Sequence, residues 1–100
     1  MDKALRYLGL AAKAGRLVIG AEDCAKQIAK GKLFVAASDA ASNTLQQART
    51  MAERRPCPLL HVAYTKLDIA QAIGRGNPVA LALICDEGLA KAFAAAAEKE

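Results

Sequence analysis

A chain of 100 residues, 54% of them apolar and 24% charged, is long enough for one compact domain and too regularly patterned for disorder beyond its ends. No apolar run approaches the ~20 residues that span a bilayer. The opening Met1-Asp2-Lys3 has no signal-peptide layout, so a cytoplasmic protein with no membrane partner is expected. A net charge of +4 is compatible with nucleic acid without requiring it. Cys24, Cys57 and Cys85 are odd in number and form no Cys-x-x-Cys, which argues against a disulfide framework or a zinc site. Three reduced, largely buried thiols are expected, with Cys57, between Pro56 and Pro58, the most exposed.

Asp2 is placed to cap a helix over residues 3–14, with Leu5, Leu8 and Ala12 on one stripe and Gly15 as its stop. Leu17-Val18-Ile19 is too short for a helix and reads as a strand. A second helix runs over 21–30 and ends at Gly31. The unbroken apolar run 33–37 fits a strand covered on both faces. After a polar loop at 38–42, Ser42 or Asn43 caps a helix over 44–55, with Leu45, Ala48, Met51 and Ala52 inward. Pro56 and Pro58 close it, and 59–63 reads as the next buried strand. Thr65-x-x-Asp68 is a capping-box variant that opens a short helix ending at Ile73-Gly74. Arg75-Gly76-Asn77-Pro78 is a turn, 79–85 the last strand, and 86–99 an alanine-rich helix using Leu89, Phe93 and Ala97.

Five helices alternating with four strands imply an α/β fold, a three-layer α/β/α sandwich with at least partly parallel pairing and helices on both sheet faces. The expected domain spans 1–100, with no linker or internal repeat.

Enzyme chemistry finds little footing. His61 is the only histidine and sits in an apolar strand, where a satisfied core histidine is the simpler expectation; no serine or cysteine triad assembles around it. Gly74-Arg75-Gly76 is followed by Pro78 and a strand, so it is not a phosphate-binding glycine signature. Asp39, Asp86 and Glu87 follow strands, where catalytic acids often lie, but each is equally a cap or loop acid. A small hydrolase or transferase using Asp39 and Asp86 is the weakest of the functions that remain open. Tyr7, Phe34, Tyr64 and Phe93 form no stacking platform, which favours a shaped RNA over an open single strand.

The segment from Gly20 to Gly31 carries the most chemistry. A glycine turn leads into a helix opened by Glu22 and Asp23, with Lys26 and Lys30 further along. Free backbone N–H groups, acidic acceptors and cationic donors then share one helix start, a combination able to read base edges and phosphates. Glu22, Lys26 and Lys30 also lie four apart, as in an ordinary solvated ion-pair ladder worth about 0.3–0.5 kcal/mol per pair.

The run Leu-Gly-Leu-Ala-Ala-Lys-Ala-Gly-Arg-Leu-Val-Ile-Gly at 8–20 resembles bacterial stand-alone members of the kink-turn-binding ribosomal-protein superfamily. Gly20-x-x-Asp23-x-x-Lys26, Ala36-Ala37-Ser38-Asp39, Thr65-Lys66, Ala72-Ile73-Gly74 and Asp86-Glu87-Gly88 extend the likeness over nearly the whole chain, in order. It implies an α/β/α sandwich with a four-stranded mixed sheet that binds kinked RNA duplexes at tandem sheared G·A pairs. The family reads that element with Gly-x-Asn-Glu-x-x-Lys. Gly20 matches the glycine, Asp23 takes the acidic place and Lys26 the lysine, while Lys30 falls at a further basic contact. Glu22 stands where the pattern has Asn, and Asp23 is one methylene shorter than Glu. The family's second contact is the loop before the last strand, here 74–79, where Pro78 and Val79 would offer apolar surface and Arg75 a phosphate contact, with Lys66 nearby.

The expected function is therefore a non-enzymatic RNA-binding module, a monomer without cofactor or metal, whose partner is a structured RNA, ribosomal RNA among the candidates. Gly20, Glu22, Asp23, Lys26, Lys30, Lys66, Arg75, Pro78 and Val79 form its expected site. The alternative is a protein-interaction module on the same scaffold without RNA binding, for which the Glu22-Asp23 pair and the modest net charge speak. The RNA-binding expectation requires the Gly20 junction and the 74–79 turn to lie side by side.

Overall fold

The computed structural model describes residues 2–98. Met1 and Lys99, the expected end of the last helix, lie outside the described residues. In chain order the elements are α1 (Lys3–Lys13), β1 (Leu17–Ile19), α2 (Ala21–Gln27), β2 (Leu33–Ala36), α3 (Ser42–Arg54), β3 (Leu59–His61), α4 (Lys66–Ala72), β4 (Leu81–Ile84) and α5 (Glu87–Glu98). The expected second helix is thus divided: α2 stops at Gln27 and the chain tightens into a turn of 3₁₀ helix, Ile28–Lys30.

The four strands form one mixed sheet in the order β1-β4-β2-β3. β4 runs antiparallel to both β1 and β2, and β2 pairs in parallel with β3. Period-two alternation sends Leu33, Val35 and Ile84 to one face and Phe34, Ala36, Leu81 and Leu83 to the other. The first face packs against α1, α4 and α5 through Ala4, Leu8, Ala11, Ile69, Ala90 and Phe93. The second packs against α2 and α3 through Cys24 and Ala48. The result is the expected α/β/α sandwich, with small residues letting the layers approach closely.

Several local expectations are corrected. The Asp2 side chain caps nothing; its carbonyl accepts from Arg6 N–H at 3.1 Å instead. The α1 stripe is rotated by one residue, burying Ala4, Leu8 and Ala11 rather than Leu5 and Ala12. α3 begins at Ser42 with Ala41 as its uncapped boundary, so Ser42 and Asn43 lie within its first turn. β3 is an edge strand, so Leu59 and Leu60 are half-buried and His61 is exposed, its Nε2 3.1 Å from Ala37 O. His61 is therefore no core histidine. Cys57 is buried at 8% exposure: its N–H donates to Ala52 O at the end of α3, and its side chain joins the core cluster of Phe34, Ala48 and Leu83.

Candidate nucleic-acid interface

The β1–α2 junction is built by Gly20. Its φ of +88° and ψ of 146° lie in a region essentially closed to residues with a Cβ. Its N–H donates to Leu81 O at 3.0 Å and its carbonyl accepts from Cys24 N–H at 2.9 Å, locking α2 onto the sheet. No side chain caps α2, and Glu22 and Asp23 stand in its first turn. The macrodipole favours acids there and leaves the leading N–H groups facing outward.

A second device sets the opposite wall. At the end of α4, Gly74 adopts φ +76°. Gly74 N–H donates to Gln71 O at 3.3 Å and Arg75 N–H to Ala70 O at 2.8 Å, the two bonds of a Schellman motif. This fixes Arg75 just past the helix. Arg75 then lines a groove of about 410 Å³ with Asp23, Lys26 and Gln27 of α2 and with Leu17, Val18 and Ile19. β1 is the outer strand, so this groove runs along an open sheet edge.

The groove brings together Asp23, Lys26 and Arg75, directly beyond Gly20. It does not gather every expected residue. Glu22 faces the other flank of α2 and lines a separate groove of about 530 Å³ with Ala21, Ala25, Gln46, Gln47, Thr50 and Met51. That groove is larger, but its wall carries amides, a hydroxyl and one acid, with no cation to hold a phosphate. Lys30 lies at the far end of the β1–α2 unit on the 3₁₀ turn. Lys66 opens α4, where its N–H donates to Asp39 Oδ1 at 2.8 Å and its carbonyl accepts from Val79 N–H at 3.1 Å. These bonds tie the 38–41 loop, the start of α4 and the end of the 74–79 turn to one end of the sheet, beside Gly20. Pro78 is exposed there. Val79 is 3% exposed within the core, so its side chain adds nothing to an apolar surface.

Gln27 and the β1 edge were not among the expected contacts. Gln27 is four residues after Asp23 and hence on the same helix face, a relation visible in the sequence. That β1 is an outer strand was not visible, because strand order depends on long-range pairing.

The Lys26 charge is exposed and only loosely paired. Lys26 Nζ lies 3.9 Å from Glu22 Oε1, with the side chains 68% and 88% exposed. Such a pair is worth little, and Lys26 can exchange it for a phosphate. The thiols are set differently. Burial, with smaller repulsions from Cys85, Asp23 and Cys57, pushes the Cys24 pKa up to about 12. Burial likewise raises Cys57, against a hydrogen bond from the Phe34 backbone and the Lys32 charge, and raises Cys85, against the Lys30 and Arg16 charges. Thiols held neutral are poor nucleophiles and poor metal ligands. Among the described residues no group of three or more His, Cys, Asp or Glu is arranged to hold a metal. Asp39 holds Lys66 N–H, and Asp86 Oδ1 accepts from Leu89 N–H at 2.8 Å to cap α5, so both acids have structural tasks. No helix among the described residues is long and apolar enough to cross a membrane.

Known proteins share this architecture. A Bacillus halodurans protein of unknown function superposes with a TM-score of 0.89 at 26% identity, covering 98% of this chain and 99% of the other. The Giardia lamblia 15.5kD RNA binding protein superposes at 0.79 with 21% identity over 97% of this chain and 83% of its own, a likeness of fold. In sequence, the chain is 32% identical over 92 residues to the RNA-binding protein YlxQ of Enterococcus faecium, spanning 90% of this chain and 86% of that protein. The family model of the ribosomal protein L7Ae/L30e/S12e/Gadd45 group matches residues 2–94. With its sheet order, its glycine-built β1–α2 junction and this match over nearly its whole length, the chain belongs to the ribosomal protein L7Ae/L30e/S12e/Gadd45 family.

Proposed function

We propose that this protein is a non-enzymatic RNA-binding module that recognises a kinked, structured RNA at sheared G·A pairs. The observation that carries the proposal is the convergence of Asp23, Lys26 and Arg75 on one groove beside the uncapped start of α2. Asp23 can accept from guanine N1–H and N2–H₂ together, while Lys26 and Arg75 neutralise backbone phosphates. Pro78 supplies the exposed apolar contact at the adjoining turn, and Lys66 a further cation. The family membership and the RNA-binding relative support RNA as the ligand class. The structural tasks of Asp39 and Asp86 speak against the hydrolase alternative.

The test is a gel shift against a kink-turn duplex and the same duplex without its G·A pairs. The wild-type protein should prefer the first. Lys26→Ala should weaken binding about tenfold, the worth of one charge-assisted contact, and lower the salt slope by about 1. Equal weak binding to both duplexes would instead favour a protein-interaction module on this scaffold. An unchanged affinity and salt slope in Lys26→Ala would remove Lys26 from the site.

A further inference from the structure

The two ends of the β1 groove are built alike. At the end of α1, Gly15 adopts φ +71°. Gly15 N–H donates to Ala12 O at 3.2 Å and Arg16 N–H to Ala11 O at 2.8 Å. This is the same Schellman motif that ends α4 at Gly74-Arg75, and it holds an arginine at the same position after the helix. Arg75 lines the groove opposite α2, and Arg16 immediately precedes Leu17, which lines its wall. Arg16 and Gly20, on either side of β1, are four residues apart, about 14 Å at 3.4 Å per residue.

Arg16 does not stand alone. Its carbonyl accepts from Cys85 N–H at 2.8 Å, and Lys32 N–H donates to Ile84 O at 2.8 Å, so the pairing aligns Arg16, Cys85 and Lys32 across three neighbouring strands. The 3₁₀ turn after α2 brings Lys30 to this same sheet end. Lys30 ends that turn two residues before Lys32, whose N–H is bonded to Ile84 O next to Cys85 and Arg16. Lys30 and Lys32 are exposed, as is Arg16.

The geometry points to a second phosphate-binding cluster, Arg16 with Lys30 and Lys32, that grips the duplex stem leaving the kink along the β1 edge. This rests on the RNA-binding function proposed above and extends it. The Asp23–Lys26–Arg75 groove selects the kinked element, and the Arg16–Lys30 cluster holds only backbone, so it adds affinity without sequence preference. Its contribution depends on whether the RNA is long enough to reach it.

The experiment compares a kink-turn RNA trimmed close to its G·A pairs with one whose stem is extended by a full helical turn, each across a salt series. The wild-type protein should bind the extended RNA more tightly. Arg16→Ala/Lys30→Ala should lose about tenfold on the extended RNA, lower its salt slope by about 2, and leave the trimmed RNA unchanged. Arg16→Lys/Lys30→Arg should retain the slope, and circular dichroism should show both variants folded. An equal loss on both RNAs, or no gain from the longer stem in the wild type, would overturn the proposal. The G·A-lacking duplex is run with the extended stem as well. If the wild type fails to discriminate against it yet still gains from stem length, the kink-turn function fails while the second cluster stands.

Discussion

α2 and α4 are both seven-residue helices that follow a strand, and they begin in opposite ways. α4 opens with a complete capping box: Thr65 Oγ1 accepts from Asp68 N–H at 3.1 Å, and Asp68 Oδ2 accepts from Thr65 N–H at 3.0 Å. Asp39 also takes Lys66 N–H. α2 opens on a glycine that offers no side chain. One helix start is closed on itself and serves stability. The other has no side-chain cap, and of its two first-turn acids Asp23 faces the groove. The contrast separates a residue's value to the fold from its value to the ligand.

The strongest way to break this contrast is at Gly20. A Cβ there would meet nothing within 4 Å, so the whole cost of Gly20→Ala is backbone strain. About 2 kcal/mol is expected, with a Tm about 10 °C lower by differential scanning calorimetry, and a loss of RNA affinity as the α2 start shifts. A Tm equal to wild type would show that the junction tolerates another conformation. Thr65→Ala sharpens the contrast from the other side. Loss of the capping box should cost about 1 kcal/mol and about 5 °C in Tm, with kink-turn affinity unchanged. A drop in affinity as large as that of Gly20→Ala would erase the distinction between the two helix starts.

The smallest effect concerns Cys24, on the buried face of α2. Its pKa is raised from 9.0 to about 12 in the folded protein, so the folded state holds its proton more tightly than the unfolded chain. Its contribution to stability is intact below pH ~9 and declines as the pH rises towards the folded value. Denaturant midpoints should therefore fall over that alkaline window, and less so in Cys24→Ala measured against its own neutral-pH midpoint. Cys24 should also resist alkylation at pH 8 until the protein is unfolded.

Much of the architecture was legible in the sequence. Glycine stops, the Thr65-x-x-Asp68 box and alternating apolar runs place all nine elements near their observed positions, because those signals are local. What depends on neighbours was not legible. Leu59-Leu60 reads as a buried strand, yet the sheet order leaves β3 at an edge and exposes His61. Cys57 looks like a loop residue between prolines, yet it packs into the core cluster between the sheet and α3. The same division runs through the site. Asp23 and Lys26 were singled out by the family resemblance of the Gly20–Lys26 segment, whereas the meeting of α2 with Arg75 depends on how α4 ends. By its spacing Lys30 continues the Lys26 face, but the tightening to 3₁₀ geometry and the length of the unit carry it to the other end of β1. Val79 has the right chemistry for an apolar contact and is claimed by the core.

Lys66 is bonded on both sides, to Asp39 through its N–H and to Val79 through its carbonyl. In the proposed RNA complex, that double tether would hold the loop in place before docking at this end of the sheet. Encounter should then be limited by diffusion and electrostatic steering, with an association rate that drops as ionic strength rises and is nearly indifferent to temperature-driven rearrangement.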